Sequence, residues 1–129
     1  MSDTGDSIPN LLLIEVLGTM KSKGGPLEPF PVSIGFTIRD ITVFIGSQPL
    51  SPPSILLSTV GVSRRQCKVF YADNAWYIHD LGSDNGTWLS SDGQFIFADR
   101  SHPLKIADGS LILLGTVLAR FTCSPSILS

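Results

Sequence analysis

Apolar and polar positions along this chain alternate with a period of two wherever the pattern is clear, the spacing of a strand with one buried face. In 67–71, Cys67, Val69 and Tyr71 fall on one face and Lys68 and Phe70 on the other. Trp76 and Ile78 point together with Tyr77 and His79 opposite, and Ile41, Val43 and Ile45 repeat the motif. Segments 34–45, 62–71, 76–81 and 110–122 are rich in β-branched and aromatic residues and are punctuated by Gly, Pro, Asn, Asp and Ser. Asp73-Asn74 and Asp92-Gly93 have the chemistry of hairpin tips, and Asp108-Gly109 that of a tight turn before a strand. No segment carries an apolar stripe at helical spacing. The prolines and glycines of 20–32 and 46–56 predict loops. The expectation is an all-β fold, a two-sheet antiparallel β-sandwich with binding loops at one end. One domain should span 10–123, between a mobile segment 1–9 and a tail 124–129.

Composition narrows the function classes. At 129 residues with 43% apolar content, the chain is long enough to bury a core without staples. A net charge of −2 and a basic cluster of only Arg64, Arg65 and Lys68 argue against direct nucleic-acid binding. Cys67 and Cys123 lie far apart, outside any metal-ligand spacing, which predicts reduced thiols, no metal and no cofactor. Apolar runs such as 11–14, 95–98 and 111–114 are too short to span a membrane, and the first residues, MSDTGDS, lack a signal-peptide pattern. The expected setting is intracellular, nuclear or cytoplasmic. His79 and His102 stand near no nucleophile motif, so neither an enzyme nor a small-molecule substrate is expected.

Four stretches then fall in a telling order: ITVFIGS, VSRRQCKVF, AWYIHDLGSDNGTWLS and PLKIADGSLILLG. This order, and above all VSRRQ followed at a distance by W-x-I-x-D-L-G-S-x-N-G-T, resembles the forkhead-associated (FHA) domain family from about residue 34 to 121. The later trace of Leu104, Asp108, Gly109, Ile112, Leu114 and Gly115 fits the same family less tightly. The resemblance implies a β-sandwich that binds a phosphothreonine-containing protein or peptide, monomeric as an isolated domain. By it, Ser63 and Arg64 meet the phosphate and Asn85 holds the peptide main chain. Gly46, Gln66, Gly86, Thr87 and the segment 80–82 support the loops. The chemistry is sensible: a phosphorylated residue brings about −1.5 to −2 charge and three acceptor oxygens, which call for converging donors. An Asn amide can both donate to and accept from a peptide backbone. Trp76 and Trp88 read as core and rim packing.

Taken alone, Asn85-Gly86 is a turn signal and Arg64-Arg65 a solvated surface pair. The sequence also departs from the family. Ser47 stands after Gly46 where an arginine is expected, Gln66 replaces a histidine, and Asp84 precedes Asn85 where a hydroxyl or basic group is common. Loss of one partner of a desolvated charge pair costs about 2–5 kcal/mol, so Arg64, with Arg39 or Arg65, would have to compensate. Two readings follow. One is a phosphothreonine-dependent interaction module. The other is a degenerate scaffold that binds its partner independently of phosphate because Ser47 replaces the arginine.

Overall fold

The computed structural model describes residues 11–38, 42–48 and 52–123, and every structural statement below concerns these. Eleven strands follow in chain order: β1 Leu12–Met20, β2 Leu27–Ile38, β3 Thr42–Gly46, β4 Ser54–Leu56, β5 Cys67–Ala72 and β6 Ala75–Asp80. After the loop that follows β6 come β7 Thr87–Ser91, β8 Gln94–Phe97, β9 Leu104–Ile106, β10 Ser110–Leu114 and β11 Val117–Cys123. They form a six-stranded sheet ordered β2-β1-β11-β10-β7-β8 and a five-stranded sheet ordered β4-β3-β5-β6-β9. All pairings are antiparallel except β3 with β4, which is parallel. The expected all-β sandwich is what the chain forms, and among the described residues no helix is long and apolar enough to cross a membrane.

The core lies between the sheets. Leu12, Ile14, Ile112, Leu114, Val117 and Phe121 of one sheet meet Val43, Ile45, Val69, Trp76 and Ile78 of the other. The alternation within 67–71 and 76–78 behaves as expected: Cys67, Val69, Trp76 and Ile78 are buried, while Lys68, Phe70 and Tyr77 are half-buried on the outer face. Both hairpin tips also form. Asp73 (φ 50°) and Asn74 (φ 61°) join β5 to β6, and Asp92 (φ 51°) and Gly93 (φ 80°) join β7 to β8. Positive φ at both central residues matches the turn twist to the right-handed twist of the strands.

Four boundaries differ from the sequence expectation. Segment 27–32, expected as loop, belongs to β2. That strand pairs only with β1, and an edge strand tolerates Pro29 and Pro31 because one side of its backbone has no ladder to break. Within 46–56, Ser54–Leu56 forms a short edge strand against β3. Segment 62–71 yields a strand only from Cys67, because 62–66 turn away to build the loop end. Strand β1 is an addition, since alternation did not single it out. Both of its faces carry apolar residues: Leu12, Ile14 and Val16 face the main core. Leu17 and Met20 join Trp88, Phe95, Leu111, Leu113 and Leu118 in a second cluster, separate from the core. A bulge between Val16 and Gly18 changes the strand's facing partway along. The expected segments 1–9 and 124–129, Arg39, and Ile41 of the third alternating set lie outside the described residues.

Candidate functional site

The loops 57–66, 81–86 and 115–116 meet at one end of the sandwich, around the fully buried side chain of Gln66. Its Oε1 accepts from the Ser63 N–H (3.0 Å). Its Nε2 faces three acceptors: Gly86 O (2.8 Å), Thr87 Oγ1 (3.0 Å) and Ser83 Oγ (3.1 Å). Its backbone N–H donates to Ile45 O (2.9 Å), and its carbonyl accepts from the Leu81 N–H (3.1 Å). One residue thus ties β3 and two loops together, through backbone and side-chain amide, in water-poor surroundings, where each bond is stronger and each loss more damaging.

Asp80 does the same for the loop that follows β6. Its carboxylate accepts from the Gly82 and Ser83 N–H groups (2.8 Å each), from Thr87 Oγ1 (2.8 Å) and from Ser83 Oγ. Four donors satisfy an otherwise costly buried charge. Ser83 Oγ in turn accepts from the Gly86 N–H (2.8 Å). The sharp turn at Gly86 (φ 83°) brings its backbone against the Trp88 indole, where an added Cβ would come within 2.6 Å of Nε1. Only glycine meets both conditions.

This frame presents a cleft of about 490 Å³ lined by Gln48, Ser63, Arg64, Arg65, Leu81, Gly82 and Asp84. Four expected binding residues, Ser63, Arg64, Arg65 and Asp84, therefore share one space. Ser63 Oγ accepts from the Asp84 N–H (2.8 Å), which leaves the hydroxyl proton available to a ligand. Arg64 and Arg65 are exposed, and no ion pair engages either guanidinium among the described residues. Asp84 is exposed as well, so the side chains lining the cleft carry one net positive charge.

Two expected residues stand apart from that cleft. The Ser47 N–H donates to Ser63 O (2.9 Å), so Ser47 serves as backbone support while the next residue, Gln48, lines the wall. Asn85 turns the other way. Its Nδ2 donates to Gly61 O (3.0 Å), its carbonyl accepts from Trp88 Nε1 (2.9 Å), and it lines a separate depression with Lys21, Lys23 and Trp88. Gln66, Gly86 and Thr87 are all buried beneath the loop surface, and Gly46 is buried at the end of β3. Leu81 and Gly82, expected as framework only, also line the cleft. Gln48 was not legible as a residue of the cleft, since nothing in its local sequence links it to VSRRQ or DNG.

Both cysteines are free thiols. Burial, with the nearby Asp80 charge, pushes the Cys67 thiol far up from its ordinary value, which keeps it protonated and unreactive. Burial and then Asp108 push Cys123 up as well. His79 is buried beside Phe70 and its Nδ1 donates to Asp80 O (3.1 Å). Among the described residues no group of His, Cys, Asp and Glu side chains is arranged to hold a metal ion.

Residues 43–115 match the FHA domain family. Over 62 residues the chain is 36% identical to a probable E3 ubiquitin-protein ligase, dma1, of Schizosaccharomyces pombe, a stretch of 48% of this chain and 23% of that protein. In three dimensions it resembles the FHA domain of the CT664 protein from Chlamydia trachomatis, with TM-score 0.62 and 26% identity over 87% of this chain and 96% of that one. It also resembles Mycobacterium tuberculosis EmbR, solved in complex with a low-affinity phosphopeptide. There the TM-score is 0.57 and the identity 20%, over 86% of this chain and 24% of that one. The chain spans about a quarter of the length of the curated relatives it matches.

Proposed function

The chain belongs to the FHA domain family, whose members are phosphopeptide-binding protein-interaction modules, and we propose that it binds a phosphothreonine-containing segment of a partner protein. The observation that carries this reading is the Ser63 hydroxyl. It is fixed by an N–H behind it, keeps its own proton for a ligand, and opens into a cleft walled by Arg64 and Arg65. In this account the phosphate takes the Ser63 O–H and the Arg64 guanidinium as donors, with Arg65 adding charge. Asn85 holds the peptide main chain once its side chain exchanges Gly61 O for the ligand. EmbR, a neighbour in fold, is itself known with a phosphopeptide, which supports the class of ligand.

No covalent chemistry is needed. Recognition by charge-assisted hydrogen bonds, each about 1.5–3 kcal/mol, is sufficient for a reversible interaction. The domain is proposed to act as a monomer within an intracellular protein, nuclear or cytoplasmic, with boundaries near 10 and 123.

A specific observation also favours the second reading, a scaffold that holds its partner without phosphate. Asp84 stands in the cleft beside the proposed phosphate position, and Ser47, in place of an arginine, offers only its backbone. A carboxylate within a few ångströms of a dianion is repulsive by about 1 kcal/mol or more. Calorimetric titration with a phosphothreonine peptide and its unphosphorylated twin separates the two. The first reading expects heat of binding only from the phosphopeptide, with loss in Arg64→Ala. Equal affinity for both peptides would establish the second.

A further inference from the structure

The loop end carries a second basic depression, whose lysines the phosphate reading does not use. It encloses about 230 Å³, and its walls include Lys21, Ser22, Lys23, Asn85, Trp88 and Thr116, with no acidic side chain among its lining residues. The β1–β2 connection that bears both lysines is anchored at its base. The Met20 N–H donates to Thr116 O (2.7 Å), and the Gly25 N–H donates to Ser22 O (3.0 Å) across its tip. Lys23 Nζ sits 3.9 Å from the centroid of the Trp88 ring, a cation–π contact that holds the ammonium on one side of the depression. The ring in turn donates through Nε1 to Asn85 O (2.9 Å). Asn85 and its neighbour Asp84 therefore form a ridge with the arginine cleft on one flank and the lysine depression on the other.

We propose that this depression is a second anion subsite, which reads a carboxylate or a second phosphate on the same peptide whose phosphothreonine enters the arginine cleft. The proposal rests on the phosphothreonine reading above. Three features support it. The ammonium of Lys23 uses one direction on the ring and keeps N–H donors for an anion. No ion pair engages Lys21 or Lys23 among the described residues, so an incoming anion displaces no existing partner. A peptide whose main chain is held at Asn85 crosses the ridge, and at about 3.3–3.6 Å per extended residue a side chain a few positions from the phosphothreonine reaches the far flank. Exposed charges are screened, so the added affinity is modest, about three- to tenfold.

The experiment is a positional scan by calorimetric titration. The parent peptide has one phosphothreonine in an uncharged background. Its derivatives place a single Glu at each position within four residues on either side, and the best position is then remade as phosphoserine. One position, or two neighbouring ones, should bind about three- to tenfold more tightly. The gain should vanish in the double variant Lys21→Ala/Lys23→Ala, while that variant binds the parent peptide with unchanged affinity. A clearly larger gain from phosphoserine than from Glu assigns the subsite to a second phosphate, and equal gains assign it to carboxylates. Tight parent binding with no favoured acidic position, or a gain that survives the double variant, overturns the subsite alone. Failure of the wild-type protein to bind the parent overturns the phosphothreonine reading and the subsite together.

Discussion

Two layers of the loop end differ in how their polar groups are satisfied. In the lower layer, Gln66, Asp80 and Thr87 are 0%, 4% and 0% exposed and bond almost entirely to one another and to loop backbone. In the upper layer, Arg64, Arg65, Asp84 and Asn85 are exposed, and the two guanidinium groups have no ion-pair partner among the described residues. The lower layer has its donors and acceptors matched within the protein; the upper layer has donors left over. A recognition surface of this kind needs both, since donors on floppy loops lose affinity to ordering, and a fully matched surface has nothing to offer a ligand. Substitutions should accordingly separate: below, stability and binding fall together, and above, binding changes alone.

The largest expected effect tests the lower layer. Asp80→Ala strips four donors of their acceptor in a buried setting and should destabilise the fold by about 3–5 kcal/mol, read from the midpoint of urea unfolding. Gln66→Leu keeps the volume but leaves the Ser63 N–H without its acceptor and removes one of the two donors to Gly86 O. It should cost about 2–3 kcal/mol in the same measurement and weaken peptide binding as well. Stability unchanged in both variants would erase the distinction between the layers. Arg64→Ala tests the upper layer: stability should stay within about 0.5 kcal/mol of the parent, while phosphopeptide affinity falls about tenfold or more as a charged hydrogen bond is lost. The smallest effect has the opposite sign. Asp84→Asn removes a carboxylate from the cleft and should tighten phosphopeptide binding about fivefold, by roughly 1 kcal/mol. A weaker phosphopeptide complex in this variant would mean that Asp84 aids the ligand instead of repelling it.

The same division accounts for what the sequence could reveal. Strands β5 and β6 were legible because their two faces differ in polarity, and their shared hairpin because Asp73-Asn74 suits a tight turn. Strand β1 was not, because Leu17 and Met20 serve a second cluster, so its outer face is largely apolar and Glu15 and Thr19 alone give little contrast with the inner one. Strand β2 was hidden by prolines that only an edge position excuses. At the loop end, the residues that line the arginine cleft, Gln48 excepted, sit in two short motifs, VSRRQ and DLGSDNGT, which made them legible. Gln66 was expected to support the loops, though its individual partners were not legible, and neither was Lys23 beside Trp88. The Lys23–Trp88 contact depends on the sheet order β1-β11-β10-β7, which brings the β1–β2 connection against residues more than sixty positions later in the chain.

The central claim is that phosphate is read between Ser63 and Arg64, and amide-resolved NMR titration tests it most directly. A phosphothreonine peptide should shift the backbone amides of 63–65 and 83–86 first and most strongly, and its unphosphorylated twin should leave them unmoved at the same concentration. Matching shifts from both peptides, or phosphate-dependent shifts confined to residues outside this loop end, would contradict the account.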